Sequence, residues 1–396
     1  FSADALGVFM ALAATLIGLI VTFYSFGYLR REANQNEYYF LTVLFLGAMA
    51  GLVYSQNLVI IYLFWEISAV VCWRLIGFYR EPFMVRRADK AFLITVGGAL
   101  AMLLGLIILF NEYHSFDLRA LRGMAVPNLA VGLIMVGIFS KSATLPFHTW
   151  LPDAGVAPSP VTALLHAAVL VKIGVFVFAR LFVGGMVWEP VWDQVLPVVI
   201  GVSSIVAGGA ALFENDLKRI IAYSTVSQLA FIFLGLLMDS QLAVAGGLLY
   251  ILTHGLAKGG LFLCAGIVEH ELGTKDIRQM GGLARNMPIT ALAFAFCALS
   301  VMGIPPCGGF FSKYMVIAGA VAGGKPWLAG VFIAGAFLTV LYLLRLFAKV
   351  FLGEPKHPDV KEGTVGMLWA VSVLAGLSLL SGFLIKYPNE FIQIAV

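Results

Sequence analysis

The chain has 396 residues, of which 61% are apolar and 12% charged, and 25 Lys plus Arg against 21 Asp plus Glu leave a net charge of +4. A composition this apolar excludes a soluble enzyme and a secreted disulfide scaffold, and so small and dispersed a net charge excludes nucleic acid as a partner. What remains is an all-α polytopic membrane protein, because apolar runs long enough to cross a roughly 30 Å hydrocarbon core recur from end to end.

In chain order, hydropathy predicts about twelve spans, at 4–29, 38–55, 57–79, 90–110, 128–150, 159–183, 193–213, 217–238, 241–268, 288–322, 327–352 and 364–387. They form a single membrane domain over 1–396. Phe1 stands before an apolar run with no basic stretch, so the sequence reads as one that begins inside a longer gene product, without a signal peptide. Cys72, Cys264, Cys297 and Cys307 lie in apolar stretches, with no C-x-x-C pair and no His cluster beside them. The 42 glycines suit close helix packing better than nucleotide loops. No cofactor or metal is therefore expected on this chain. Lys and Arg gather at the loops that follow odd-numbered spans, among them Arg30, Arg31, Arg80, Arg86, Arg87, Lys218, Arg219, Lys275 and Arg278. Short cytoplasmic loops retain such residues, which places both chain ends on the non-cytoplasmic side.

Six basic residues fall inside spans: Arg74, Lys141, Lys172, Lys258, Lys313 and Arg345. The two arginines lie within about two turns of a helix end, where a long side chain reaches water. The four lysines lie near mid-span, where an ammonium costs at least ~2.5 kcal/mol unless it is hydrated or paired. Lysine can release its proton when desolvated and arginine cannot, so the pattern points to groups that titrate. Glu66 is the one acidic residue well inside a span, and it is read as the partner of a lysine. Tyr250, His254 and Lys258 recur at four-residue spacing and form a polar stripe on one helix face. His166 precedes Lys172 by six residues, about 240° round the axis and about 9 Å along it, an offset that suits a link between neighbouring sites. For both histidines the plainer alternative is a helix-to-helix hydrogen bond.

Phe139-Ser140-Lys141 is followed by Pro146, and a second Phe-Ser-Lys, residues 311–313, is preceded by Pro305 and Pro306. Proline frees the carbonyl four residues earlier, here those of Ser142, Val301 and Met302. In lipid such groups need water or protein, so each break is expected to line a hydrated cavity with polar groups near the Ser142 and Val301 carbonyls. Interrupted helices in two halves of one chain are a pointer to inverted repeats, with kinks used only for packing as the alternative.

These residues resemble a known family. Ser140-Lys141-Ser142-Ala143-Thr144-Leu145-Pro146-Phe147-His148-Thr149-Trp150-Leu151-Pro152-Asp153-Ala154, the segment from Ser159 to Ala168, Trp65-Glu66, the run from Glu214 to Gln228, His254-Gly255-Leu256-Ala257-Lys258 and the run from Gly308 to Lys313 look like the antiporter-like subunits. Such subunits occur in respiratory complex I, Mrp-type sodium/proton antiporters and energy-converting membrane-bound hydrogenases. The family usually has fourteen helices, so the twelve here resemble its third to fourteenth, and two would precede Phe1. The resemblance implies two inverted repeats with broken helices, a first half-channel over 38–185, a second over 190–352 and a C-terminal helix at 364–387. It implies that Glu66 and Lys141 pair in the first half-channel, that Lys172 bridges, that His166, His254 and Lys258 connect centrally, and that Lys313 is the terminal site of the second. Arg74 departs from the complex I pattern by adding a charge near Glu66, which favours a hydrogenase-type or other group-specific relative.

The expected function is that of a proton-pumping subunit in the prokaryotic cytoplasmic membrane, without redox chemistry of its own, partnered by other membrane subunits and by a peripheral redox module that supplies the energy. The alternatives are an Mrp-type sodium/proton antiporter subunit, in which sodium also moves, and a scaffold that anchors a redox module without pumping.

Overall fold

The computed structural model describes residues 1–238 and 240–395, which form helices and their connecting loops with no β-strand among them. In order the helices are α1 (Ala5–Tyr28), α2 (Gln35–Val53), α3 (Leu58–Ile76), α4 (Pro82–Tyr113), α5 (Leu118–Leu121), α6 (Asn128–Lys141), α7 (Trp150–Asp153), α8 (Ser159–Ala163), α9 (Leu170–Phe182), α10 (Trp192–Phe213), α11 (Leu217–Leu237), α12 (Gln241–Leu272), α13 (Pro288–Met302), α14 (Gly308–Ala322), α15 (Pro326–Phe351), α16 (Val365–Phe383) and α17 (Lys386–Ala395). Ten segments are long and apolar enough to cross a membrane, with α8 and α9 counted as one. The remaining two crossings are interrupted ones, α6 with the segment after it, and α13 with α14.

Both interruptions have a local cause. After α6, Ala143 takes a left-handed φ of 51°, and after α13, Gly303 takes one of 81°. Proline follows each turn within three residues, at Pro146 and at Pro305 with Pro306, and forbids a return to the helical ladder. Leu145–Pro146 and Pro305–Pro306 are both cis. Between α8 and α9 the chain forms a π-helical turn over Leu164–Ala168, closed by the Val169 N–H donating to the Leu164 carbonyl at 3.0 Å.

An internal repeat underlies this arrangement. The N–H of Leu58 donates to the Phe116 carbonyl and that of Leu118 to the Gln56 carbonyl, both at 2.9 Å. The N–H of Leu217 donates to the Lys275 carbonyl at 2.8 Å and that of Ile277 to the Asn215 carbonyl at 3.0 Å. Each residue of the second set stands 159 after its counterpart, as 216 follows 57 and 276 follows 117 in the two isolated bridges. Asn57 and Asp216 cap α3 and α11 with their side chains, and α4 and α12 are both 32 residues long. The left-handed turns at 143 and 303 and the prolines at 146 and 306 continue the match with an offset of 160. Because α3 is the third crossing and α11 the eighth, the two copies run in opposite directions through the membrane.

The span of α8 and α9 is buried over its whole apolar window, and α11 and α12 nearly so, whereas α1 to α4, α10, α15 and α16 keep about half or more of theirs exposed. The central helices are those that carry His166, Lys172, His254 and Lys258. Sequence reading missed α17, which packs its Phe391 ring 6.5 Å from that of Phe9 on α1 and buries Ile392. Its polar residues break the long apolar run on which hydropathy depends.

Candidate functional site

Each of the four mid-span lysines is buried, and each ammonium ends on a main-chain carbonyl. Lys141, the last residue of α6, donates to the Trp65 carbonyl of α3 at 3.0 Å and lies 5.2 Å from the Trp65 ring centre. Lys172 on α9 donates to the Ala167 carbonyl in the π-turn. Lys258 on α12 donates to the Ile221 carbonyl of α11 at 3.1 Å and to Ser224 Oγ at 2.6 Å. Lys313 on α14 donates to the Val301 carbonyl at 2.7 Å, with the Phe231 ring 4.6 Å away. Among the described residues none of the four makes an ion pair within 4 Å. An ammonium bound only to neutral acceptors is held without a fixed counter-charge, so gain and loss of its proton do not break a salt bridge.

Glu66 lies near Lys141 but does not touch it, so the pair read from the sequence is a through-space one, and one oxygen of Glu66 is buried without a hydrogen-bond partner. The reason is the direction of its helix face. Val59, Leu63 and Val70 are exposed on α3 at helical spacing from Glu66, which puts the carboxylate on the outward stripe, while Trp65 faces the core. Arg74 is not part of this site. Its Nε donates to Glu37 at 2.5 Å, and Arg80 joins the same carboxylate at 2.9 Å. The extra charge near Glu66 is thus absorbed at the Arg-rich helix end. Arg345 likewise holds a loop, through the Glu214 carbonyl and Asn215 Oδ1, both at 2.8 Å.

His166 and His254 are fully buried, and among the described residues none of their four ring nitrogens meets a donor or acceptor. The His166 ring packs 4.3 Å from that of Phe262, and the His254 ring 5.6 Å from that of Tyr250. The helix-to-helix hydrogen bonds considered as the plainer reading are therefore not made. His254 is within range of the charges of Lys172, Lys258 and Lys313. Gly255 is what admits Lys172 to this cluster, because a Cβ at that position would stand 2.6 Å from Lys172 Nζ.

The breaks lie where the prolines place them, but the Phe-Ser-Lys echo is not a structural correspondence. Lys141 precedes its break and Lys313 follows its own. By the repeat, the counterpart of Lys141 is Val301, and the counterpart of Lys313 is Asp153. The Lys313 side chain nonetheless crosses the break to the carbonyl of Val301, the residue that corresponds to Lys141. The Val301 carbonyl thus receives the polar group expected of it. At the first break the carbonyl with a side-chain donor is that of Ser140, which accepts from Trp150 Nε1 at 2.9 Å, rather than that of Ser142.

Asp153, beyond the first break and outside the spans, pairs with Arg87, with Lys90 at 2.8 Å and with Arg219 at 2.8 Å. Burial works to raise its pKa, but the Lys90 hydrogen bond and the charges of Arg87, Lys90 and Arg219 outweigh it and hold the carboxyl below its ordinary range. Sequence reading also missed Ser224, Gln228, Thr339 and Tyr342, which are buried in hydrogen-bond contact around Lys258. A glutamine in the middle of a span was the available signal, since a buried amide needs partners just as a lysine does.

A family model described as NADH:quinone oxidoreductase/Mrp antiporter, TM matches residues 55–339, and one described as NADH-Ubiquinone oxidoreductase (complex I), chain 5 N-terminus matches residues 1–39. A Na(+)/H(+) antiporter subunit of Alkalihalophilus pseudofirmus is 36% identical over 436 aligned positions, which cover 98% of this chain and 52% of that protein. A Na(+)/H(+) antiporter subunit of Staphylococcus aureus is 34% identical, and the match covers 96% of this chain and 52% of that protein. The chain thus spans about half the length of the curated relatives it matches. A chain in the solved structure of the Mrp complex from Dietzia sp. DQ12-45-1b superposes with a TM-score of 0.91 at 22% identity, covering 99% of this chain and 83% of that one. At that identity the likeness is one of fold.

Proposed function

The chain belongs to the NADH:quinone oxidoreductase/Mrp antiporter membrane family, and on that footing we propose that it is the ion-translocating part of a sodium/proton antiporter subunit of Mrp type. This replaces the redox-driven proton pump expected from the sequence, because the named relatives are antiporter subunits. A peripheral redox module is no longer required, since the gradient of one ion drives the other.

The observation that carries the proposal is the row of titratable groups laid through two inverted halves, the half-buried Glu66 and the buried Lys141, Lys172, His166, His254, Lys258 and Lys313. Protons would pass along this row, with half-channels over 38–185 and 190–352 reaching the two aqueous phases at the broken helices. Each ammonium repels the next, so removing one proton eases protonation of its neighbour. Two unit charges 10 Å apart interact by about 1.7 kcal/mol at an effective dielectric of 20, roughly one pKa unit. That coupling is enough to order successive transfers. The unpartnered nitrogens of His166 and His254 supply acceptors between the lysines. A row of ammonium groups repels sodium, so the sodium path is assigned to a different surface.

Other membrane subunits complete the assembly in this reading. The outward stripe of α3 sets the half-buried Glu66 among exposed Val59, Leu63 and Val70 at membrane depth. A carboxylate there requires a protein neighbour in place of lipid tails.

The test is sodium-dependent collapse of a pH gradient in inverted membrane vesicles that carry the whole complex. Lys141→Met and Lys258→Met should assemble and lose the exchange. Normal exchange in both variants would remove the row from the mechanism, and proton movement with no response to sodium would restore the pump.

A further inference from the structure

A chain of side-chain hydrogen bonds leaves Lys258 and ends beside Lys313. Lys258 Nζ donates to Ser224 Oγ at 2.6 Å, and the Tyr342 hydroxyl donates to the same oxygen at 2.7 Å. Gln228 Nε2 donates to Thr339 Oγ1 at 3.0 Å and lies 3.4 Å from the Tyr342 oxygen. Its Oε1 accepts from the Tyr250 hydroxyl at 2.7 Å. The Tyr250 ring centre is 5.7 Å from Lys313 Nζ, close enough for the ring face to attract that ammonium. Ser224, Gln228, Tyr250, Thr339 and Tyr342 are all fully buried, and they come from α11, α12 and α15.

We propose that Ser224, Tyr342 and Gln228 are positioning residues that hold the Lys258 ammonium and tie it through Tyr250 to Lys313, so that loss of the proton at one lysine is relayed to the other. This rests on the reading of Lys258 and Lys313 as proton carriers.

The chemistry of the chain supports positioning rather than conduction. An amide does not pass a proton as a hydroxyl does, so Gln228 interrupts any wire from Tyr342 to Tyr250. What Gln228 does is set direction. With its oxygen turned to Tyr250, its N–H groups face Thr339 and Tyr342, and the Tyr342 proton is left to point at Ser224. Ser224 then receives two donors and presents an acceptor to Lys258. When Lys258 gives up its proton, the amine can accept from Ser224 instead, the Ser224 hydroxyl reverses, and its oxygen, no longer shared with an ammonium, is left with Tyr342 as its donor. That rearrangement is relayed to Tyr250, whose ring contacts Lys313 and lies beside His254. No covalent bond is made or broken along the chain.

The test uses the assembled complex in inverted vesicles and measures both the maximal rate of sodium-dependent exchange and the half-saturating sodium concentration. Tyr342→Phe removes one hydroxyl and keeps the ring, and Ser224→Ala and Ser224→Thr remove and keep the other. The expected result is a roughly tenfold fall in maximal rate for Tyr342→Phe and Ser224→Ala, consistent with loss of one hydrogen bond at a charged group. Half-saturating sodium should stay unchanged, Ser224→Thr should exchange near the normal rate, and the double variant should be no slower than the slower single one. Normal rates in both single variants, a loss in Ser224→Thr equal to that in Ser224→Ala, a change in half-saturating sodium, or losses that multiply in the double variant would each overturn the proposal. Lys258→Met and Lys313→Met run alongside: if both exchange normally, the carrier reading itself fails, and if both are inactive while Tyr342→Phe is normal, only the positioning chain fails.

Discussion

Gly255→Ala isolates the geometry of the centre better than removal of a charge. The added Cβ would stand 2.6 Å from Lys172 Nζ, 2.6 Å from Ile17 Cδ1 and 3.0 Å from the Ala167 carbonyl oxygen. The Ile17 methyl and the ammonium are ends of side chains and can move, but the carbonyl belongs to the π-turn and cannot follow. Lys172 Nζ would therefore be displaced from the oxygen it bonds. Overpacking of this kind costs about 1–3 kcal/mol, offset by the ~1 kcal/mol that alanine gains over glycine within a helix. The net loss of stability is at most ~2 kcal/mol, so the variant should fold and assemble. Transport should suffer far more, because misplacing a reacting group by about 1 Å costs roughly 100-fold. Exchange in inverted vesicles and the melting temperature of the purified complex would measure the two effects separately. Gly255→Ala combined with Lys172→Met, which lacks the terminal nitrogen, should recover part of the lost stability while staying inactive. Normal exchange in Gly255→Ala, or no recovery in the double variant, would refute the placement of Lys172 against α12.

Three further outcomes are expected. Glu66→Gln keeps the shape of the side chain and cannot ionise, so the complex should assemble with exchange strongly reduced, and full exchange in vesicles would show that the carboxylate is idle. Lys313→Met should abolish exchange, Lys313→Glu should retain part of it, and Lys313→Arg, which keeps the charge but holds its proton, should be inactive though stable; near-normal exchange with Arg and none with Glu would count against proton release. Asp153→Asn should lower the melting temperature at neutral pH; the carboxyl is depressed in the folded protein, so its contribution is full above the unfolded pKa of about 3.9 and is lost as pH falls through the lower folded value, and the melting curves of variant and wild type should converge only in acid.

Much of this architecture is legible in the sequence because the bilayer imposes a strong rule. Twelve crossings follow from length and hydropathy, and both breaks follow from proline, which has no N–H to give. The repeat is legible for the wrong reason. Phe-Ser-Lys occurs twice, yet the second copy stands after its break, and the true register is revealed by the matching hydrogen bonds around residues 57 and 216 and by the turns at 143 and 303. The reach of Lys313 back to Val301 depends on a side chain that crosses the broken segment, which no periodicity records. Glu66 illustrates the opposite failure. Its stripe with Val59, Leu63 and Val70 is plain at three- and four-residue spacing, but a stripe does not say which way it faces until α3 has packed. The π-turn at Leu164–Ala168 has no sequence signature either, because one extra residue in a buried helix looks like any other apolar residue.

The two interrupted helices have an electrostatic consequence of their own. α6 and α13 approach the midplane from opposite faces, and both end there, α6 at Lys141 and α13 at Met302. Every α-helix carries about half a negative charge at its C-terminus. Each such end sets negative potential beside a lysine that lacks a counter-ion, Lys141 at the end of α6 and Lys313 on the Val301 carbonyl in the last turn of α13. That compensation is owed to the backbone, and no side-chain substitution removes it without straightening a helix.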